Sequence, residues 1–293
     1  MRMIIRVVSL TLMLSLAQGM AAAPTDKAFL WKVEAPKATL YLMGSLHFAT
    51  ADFYPLRADV EQAFTASQQL VVEVDVAAVD PLQLQQMILE TGTYSGDELL
   101  EDHLSPATWQ RLAAYMESKG LPLASFSRYR PGLLITTLTS LEIMEEGLSA
   151  DSGIDLYFLN QARGEKKVIE LESLQQQLAL LLDMDNPDQV MVQSLDEFDH
   201  YDVMVAQLVD IWRRGDVQEL EQMLITEPLQ QYPESRPYFD RVFTQRNLAM
   251  AESLAALTDQ GSSYFVVVGA GHLIGENGLV QLMQQAGYKV TRQ

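Results

Sequence analysis

Six short runs along the chain are apolar, rich in β-branched or aromatic residues, and bounded by proline, glycine or charged positions. They are Phe29–Glu34 (FLWKVE), Thr39–Met43 (TLYLM), Leu70–Val74 (LVVEV), Lys167–Leu171 (KVIEL), Tyr264–Val268 (YFVVV) and Tyr288–Thr291 (YKVT). Ala35-Pro36-Lys37 separates the first two and suits a hairpin turn. Leu70–Val74 and Phe265–Val268 lack the alternation of a half-exposed strand, so they predict strands covered on both faces. Between these runs apolar residues recur at three- and four-residue spacing. The clearest such segment is Ser105-Pro106 followed by TWQRLAAYMESKG, with a capping serine, a first-turn proline and Gly120 past the end. Roughly 80–165 and 174–260 read as mainly helical. The expectation is an α/β fold: a mixed central sheet of about six strands, flanking helices and large helical insertions.

The two ends of the chain echo each other. LYLMGSLH (Leu40–His47) and FVVVGAGH (Phe265–His272) share an apolar strand and then Gly-x-x-His, and each is followed by a helix and a further strand. In α/β sheets functional groups gather where strands end, at the carboxyl edge. Gly44 and Gly269 are expected to end their strands in sharp turns, and the histidine three residues on stands over that edge. Glu73, at the end of LVVEV, projects from the same edge. Two imidazoles and a carboxylate make a three-ligand metal site with a position open to water, so His47, His272 and Glu73 are the candidate metal ligands. An ion held that way acidifies water and polarises a carbonyl, which is hydrolytic chemistry.

Composition narrows the alternatives. The 293 residues include 39 acidic and 20 basic side chains, a formal net charge of −19, 48% hydrophobic residues and no cysteine. The apolar content excludes a disordered chain. The negative charge repels phosphate backbones, so no nucleic-acid partner is expected. The absence of cysteine removes thiolate nucleophiles, Cys-type zinc sites, iron–sulfur clusters and disulfides. HExxH, a GxSxG elbow and a Walker loop are also absent, and no cofactor-binding residues beyond the metal set are assigned.

Residues 1–23 read as a signal peptide: Arg2 and Arg6, an apolar run from Val7 to Leu16, then Ala21-Ala22-Ala23 as an A-x-A-like site. The apolar run is short of the ~20 residues that span a bilayer, and no lipid-anchor cysteine follows it. Leu133–Met144 is apolar too, but Glu142, Glu145 and Glu146 end the apolar run, so a buried helix is expected rather than a membrane span. The expected product is a periplasmic or secreted protein, residues 24–293 as one domain, with no stable membrane anchor.

The chain resembles the TraB/PrgY/GumN family, whose animal relatives, the Tiki proteins, are metal-dependent proteases. The resemblance runs in order through YLMGSLH, LVVEVD, SGIDLYFLNQA, KKVIELES with QQQLALL, QRN at 245–247, and VVVGAGHLIGENGLVQLMQQAGYKV. Ser173 follows Leu-Glu where the family consensus has threonine, which keeps the hydroxyl. The resemblance places the family's paired histidines on His47 and His272, its acidic residue on Glu73, its Leu-Glu on Glu172 and its Arg-Asn on Arg246-Asn247. It implies Mn²⁺ or Co²⁺, although His/carboxylate ligation also suits Zn²⁺, and a peptide or protein substrate. Glu172 would then serve as a fourth ligand or as the base for water. Arg246 would meet an oxyanion or clamp a carboxylate ligand, and Asn247 would hydrogen-bond a carbonyl. Asp155 is expected to cap a helix rather than bind an ion. Two alternatives stay open: a non-catalytic haem-, iron- or peptide-binding protein, and a metal-independent esterase using histidine as its base.

Overall fold

A computed structural model describes residues 26–293 except 183 and 185. The leader expected over 1–23 lies outside the described residues. Six strands form one sheet: β1 (Phe29–Glu34), β2 (Thr39–Ser45), β3 (Gln69–Val72), β4 (Lys167–Glu170), β5 (Ser263–Gly269) and β6 (Lys289–Arg292), in the order β4-β3-β5-β2-β1-β6. The predicted hairpin is present, with β1 and β2 antiparallel from Glu34↔Thr39 to Phe29↔Gly44. β5 lies parallel to both β2 and β3, β4 is parallel to β3, and β6 is antiparallel to β1. Only β1 therefore runs against the rest, and β2, β3, β4 and β5 all end at one edge.

Hydrophobic pattern explains the placement. Tyr264–Val268 is buried without interruption, as are Leu70–Val72 and Leu42–Met43, and these strands take the middle of the sheet. β4 and β6 have exposed ends and half-buried middles, and they sit at the two edges. On one face Phe64 of the helix Ala58–Ala66 and Phe158 of the helix Ile154–Ala162 meet Phe265 of β5, with ring centroids 4.7–5.5 Å apart. Trp212, fully buried, donates its indole N–H to the Gly44 carbonyl at 2.9 Å.

The helical stretches have a core of their own, built from Leu112, Met116, Leu134, Leu138, Met191 and Leu195. Its helices include Pro106–Ser118, capped by Ser105 and followed by Gly120 at φ +66° as the sequence predicts. The apolar run Leu133–Met144 lies in the helix Pro131–Glu145, as expected. Glu142 within it is buried and paired with the Tyr115 hydroxyl and the Lys119 ammonium, which makes an acidic group tolerable there. Among the described residues no helix is long and apolar enough to cross a membrane.

Gly269 ends β5 as expected, whereas Gly44 lies one residue before the end of β2. Neither Gly44 nor Gly269 has a positive φ. Gly44 is required by close approach instead: a Cβ there would stand 2.8 Å from the Phe29 Cβ and 3.0 Å from the Ala270 Cα. The halves of the repeat also diverge after their helices, since β3 lies beside β5 whereas β6 lies beyond β1. Gly44→Ala is expected to lower stability by about 1–3 kcal/mol through overpacking, read from the urea-unfolding midpoint.

Candidate functional site

The topology joins what the sequence separates. β2 and β5 are hydrogen-bonded neighbours with Ser45 opposite Gly269. His47 lies two residues beyond the end of β2 and His272 three beyond the end of β5. β3 ends at Val72, two residues before the predicted Val74, yet backbone bonds continue from Leu171 N–H to the Val72 carbonyl and from Glu172 N–H to the Glu73 carbonyl. That continuation sets Glu73 and Glu172 side by side. The Gly269 N–H donates to Glu73 Oε1 at 2.7 Å and so draws this carboxylate over the end of β5.

Gly269 shows how near the groups stand. A Cβ placed on it would lie 3.5 Å from Glu73 Oε1, 3.6 Å from His272 Cδ2 and 3.7 Å from His47 Nε2. All three candidate ligands thus border a space that one methyl group would fill. His272 Nε2 is 3.8 Å from Glu73 Oε1.

Each imidazole is oriented from behind. His272 Nδ1 is 2.6 Å from Asn247 Oδ1, while Asn247 Nδ2 donates to the Asn277 carbonyl at 2.9 Å. A carbonyl only accepts, so the amide must turn its oxygen to His272. The ring therefore carries its proton on Nδ1 and leaves the Nε2 lone pair bare. Burial pushes the His272 pKa down to about 4, so the ring is neutral at pH 7. His47 has the opposite setting. Its Nδ1 is 2.9 Å from Asp155 Oδ2, and the other Asp155 oxygen accepts from the Ser45 hydroxyl at 2.8 Å. The Asp155 charge raises the His47 pKa to about 9, with Glu73 helping and Arg246 resisting, while the ring itself stays largely exposed.

Asp155 is thus not the helix cap expected of it. Gly153 occupies that position, and an added Cβ there would strike the His47 carbonyl, so the first turn presses directly on the histidine loop. The signal for this role was Ser-Gly-Ile-Asp at a helix start, but nothing local shows that the carboxylate reaches a residue 108 positions earlier.

Arg246 joins the carboxylates. Its guanidinium donates to Glu73 Oε2 at 2.7 Å and to Glu172 through Nε at 2.9 and 3.1 Å and through a terminal nitrogen at 2.7 Å. Its remaining nitrogen donates to the Val242 carbonyl at 3.1 Å. Gln177 donates to Glu73 and Glu172 at 2.9 and 3.1 Å. Burial resists the Glu73 charge, but His272, His47, Arg246 and the Gly269 amide outweigh it and hold the pKa below the usual carboxylate range. Of the six sequence-derived candidates, Arg246 therefore ties Glu73 to Glu172 and Asn247 orients His272, whereas His47 is held by Asp155 instead. Sequence reasoning missed Ser45 and Gln177, which carry no pattern of their own.

The chain matches the family described as TraB/PrgY/gumN over residues 29–292. It belongs to that family. It is 29% identical to the uncharacterised protein YbaP of Escherichia coli (strain K12), over 83% of this chain and 87% of the relative, and equally to YbaP of Shigella flexneri. It is 25% identical to a metalloprotease TIKI homolog of Nematostella vectensis, over 90% of this chain and 66% of that protein. No solved structure matches it.

Among the described residues, no three His, Asp or Glu side chains already converge as a metal cage. The donor types nonetheless fit a divalent ion, with two imidazoles anchored through Nδ1 and a carboxylate oxygen bordering one small space.

Because folding raises the His47 pKa from 6.5, its pairing with Asp155 contributes fully to stability below about pH 6.5, a contribution that is lost as pH rises through about 9. Asp155→Asn is expected to move the His47 titration midpoint well below 9 in the metal-free chain, followed by NMR of the ring proton whose signal is missing from His47→Ala.

Proposed function

We propose that this chain is an exported metal-dependent hydrolase, a peptidase, with His47, His272 and Glu73 as the ligands of a divalent ion. The observation that carries this reading is the bare Nε2 of His272, held in that tautomer by Asn247 and facing Glu73 beside the cavity-facing ring of His47. Similarity to a metalloprotease TIKI homolog supports it, and Mn²⁺, Co²⁺ and Zn²⁺ all accept such donors. A bound ion would supply Lewis acidity and an acidified water.

The chain's own residues do the rest. Asn247 keeps the lone pair of His272 available. Asp155 aims His47 and, once that ring has lost its proton, leaves Nε2 as its free nitrogen. Arg246 holds Glu73 in place, and one guanidinium balances part of the charge of two neighbouring carboxylates. Glu172 shares Arg246 and Gln177 with Glu73, and we assign it the proton-handling role beside that residue.

A second reading has its own observation. Asp155–His47 is a carboxylate–imidazole pair with Nε2 directed to the cavity, the arrangement of a histidine acid–base group that needs no ion. Chelator separates the two. Protein dialysed against EDTA should lose peptide cleavage and regain it with one of the three metals. His47→Ala and His272→Ala should fall at least a hundredfold under that metal. Gly269→Ala should keep its melting temperature, since its backbone (φ −50°, ψ 137°) suits alanine and the new contacts are ordinary, while losing at least tenfold in metal affinity by calorimetry. Full activity of both histidine variants would refute the site, and activity unaffected by chelator would favour the second reading.

A further inference from the structure

The polar cluster forms only one end of a cavity of about 530 Å³, a volume in the range that holds a small ligand or a short piece of peptide. The other walls carry the polar residues Thr136, Thr139, Ser140 and Tyr201 among mostly aliphatic and thioether side chains. The apolar ones include Leu180 from the helix Leu174–Leu182, Met204 and Leu208 from the helix Tyr201–Arg214, and Leu220, Met223 and Leu224 from the stretch 217–226. Two single turns of π-helix, Gln222–Thr226 and Asp240–Gln245, border the cavity, and the second sets the Phe243 ring 5.3 Å from that of His272. Such turns recur at functional sites, where they push side chains out of α-helical register.

Among the described residues, the acidic and basic side chains that reach this cavity all belong to its polar end: Glu73, Arg246 and the two histidines. The Arg246 guanidinium is already occupied by Glu73, Glu172 and the Val242 carbonyl. On the helix wall the hydroxyls of Thr136 and Ser140 donate to the carbonyls of Gly132 and Thr136. Away from the polar end, the described lining therefore offers an entering charge only neutral hydroxyl groups and no opposite charge. A charged group entering there would lose much of its hydration for weak partners, whereas an apolar one would gain from burial, and methionine walls adapt to its shape.

We propose that this pocket receives a bulky uncharged side chain, aliphatic or aromatic, belonging to the residue beside the bond to be cut, so that the substrate class is apolar peptide. This rests on the hydrolase reading for the cut and on the pocket alone for the preference. The test uses the full chain in two arms. In the first, metal-loaded protein digests a mixed peptide library and the cleaved bonds are mapped by mass spectrometry. Leu, Phe or Met is expected at one fixed position next to the bond, at least tenfold over Gly and a hundredfold over Asp or Lys. Leu181→Asp, at the partly exposed edge of the pocket, should raise Lys at that position at least tenfold.

In the second arm, metal-free protein cuts nothing, and short peptides compete with the neutral dye Nile red. Leu and Phe peptides should displace it, Asp and Lys peptides should not, and Leu208→Trp should weaken dye binding at least tenfold. Selective displacement without cleavage of any peptide would refute the hydrolase and keep the pocket assignment. Cleavage with no apolar preference, or dye binding unchanged in Leu208→Trp, would overturn the pocket assignment itself.

Discussion

Glu73 and Glu172 sit on adjacent strand ends with a single guanidinium between them, and the rest of the site depends on that arrangement. Two carboxylates this close and this little exposed would repel each other and lose hydration. The fork of Arg246 answers both costs by donating to each at 2.7 Å, while its helix anchors it through the Val242 carbonyl. Lysine could not span the two groups in the same way, because its charge is a single point. With Oε2 held by Arg246 and Gln177, Glu73 turns Oε1 to the Gly269 amide, and the carboxylate is fixed over the end of β5.

The two histidines begin from the same local pattern and end in opposite electrostatic states. Burial and a neutral amide partner keep His272 uncharged, whereas an anionic partner favours the cation at His47. The first behaves as a lone-pair donor, and the second must give up a proton before it can bind an ion. This asymmetry comes from what stands behind each ring, Asn247 for one and Asp155 for the other, rather than from the repeat that supplies the rings.

Much of the scaffold was legible along the chain because apolar runs and turn residues report burial directly. Phe29–Glu34 is a strand over its predicted span, the hairpin turns at Ala35-Pro36-Lys37, and Ser105 caps its helix. The misjudged details share a cause. Asp155 looked like a cap and Gly44 like a turn residue, since those are the commonest local uses of such residues. Their actual settings, against His47 and Phe29, are contacts that no local spacing encodes. The site was legible to the extent that a repeated Gly-x-x-His drew attention to two rings and the family pattern added Glu73, Glu172, Arg246 and Asn247. Ser45 and Gln177 were invisible, because a hydroxyl or amide acquires meaning only from its partner.

By itself the sequence determined the alternation of elements, the burial of the central strands, the strongly acidic balance and the chemical types available for a site. These follow from side-chain polarity and backbone preference, which act over a few residues. Only the tertiary structure decided that β5 inserts between β2 and β3, and with that which donors share a space, which imidazole is neutral, and that an apolar cavity adjoins them. Strand order and the electrostatics of buried groups arise from contacts between residues far apart in the chain, such as the paired Gly44 and Val268, where proximity is set by the whole packed core.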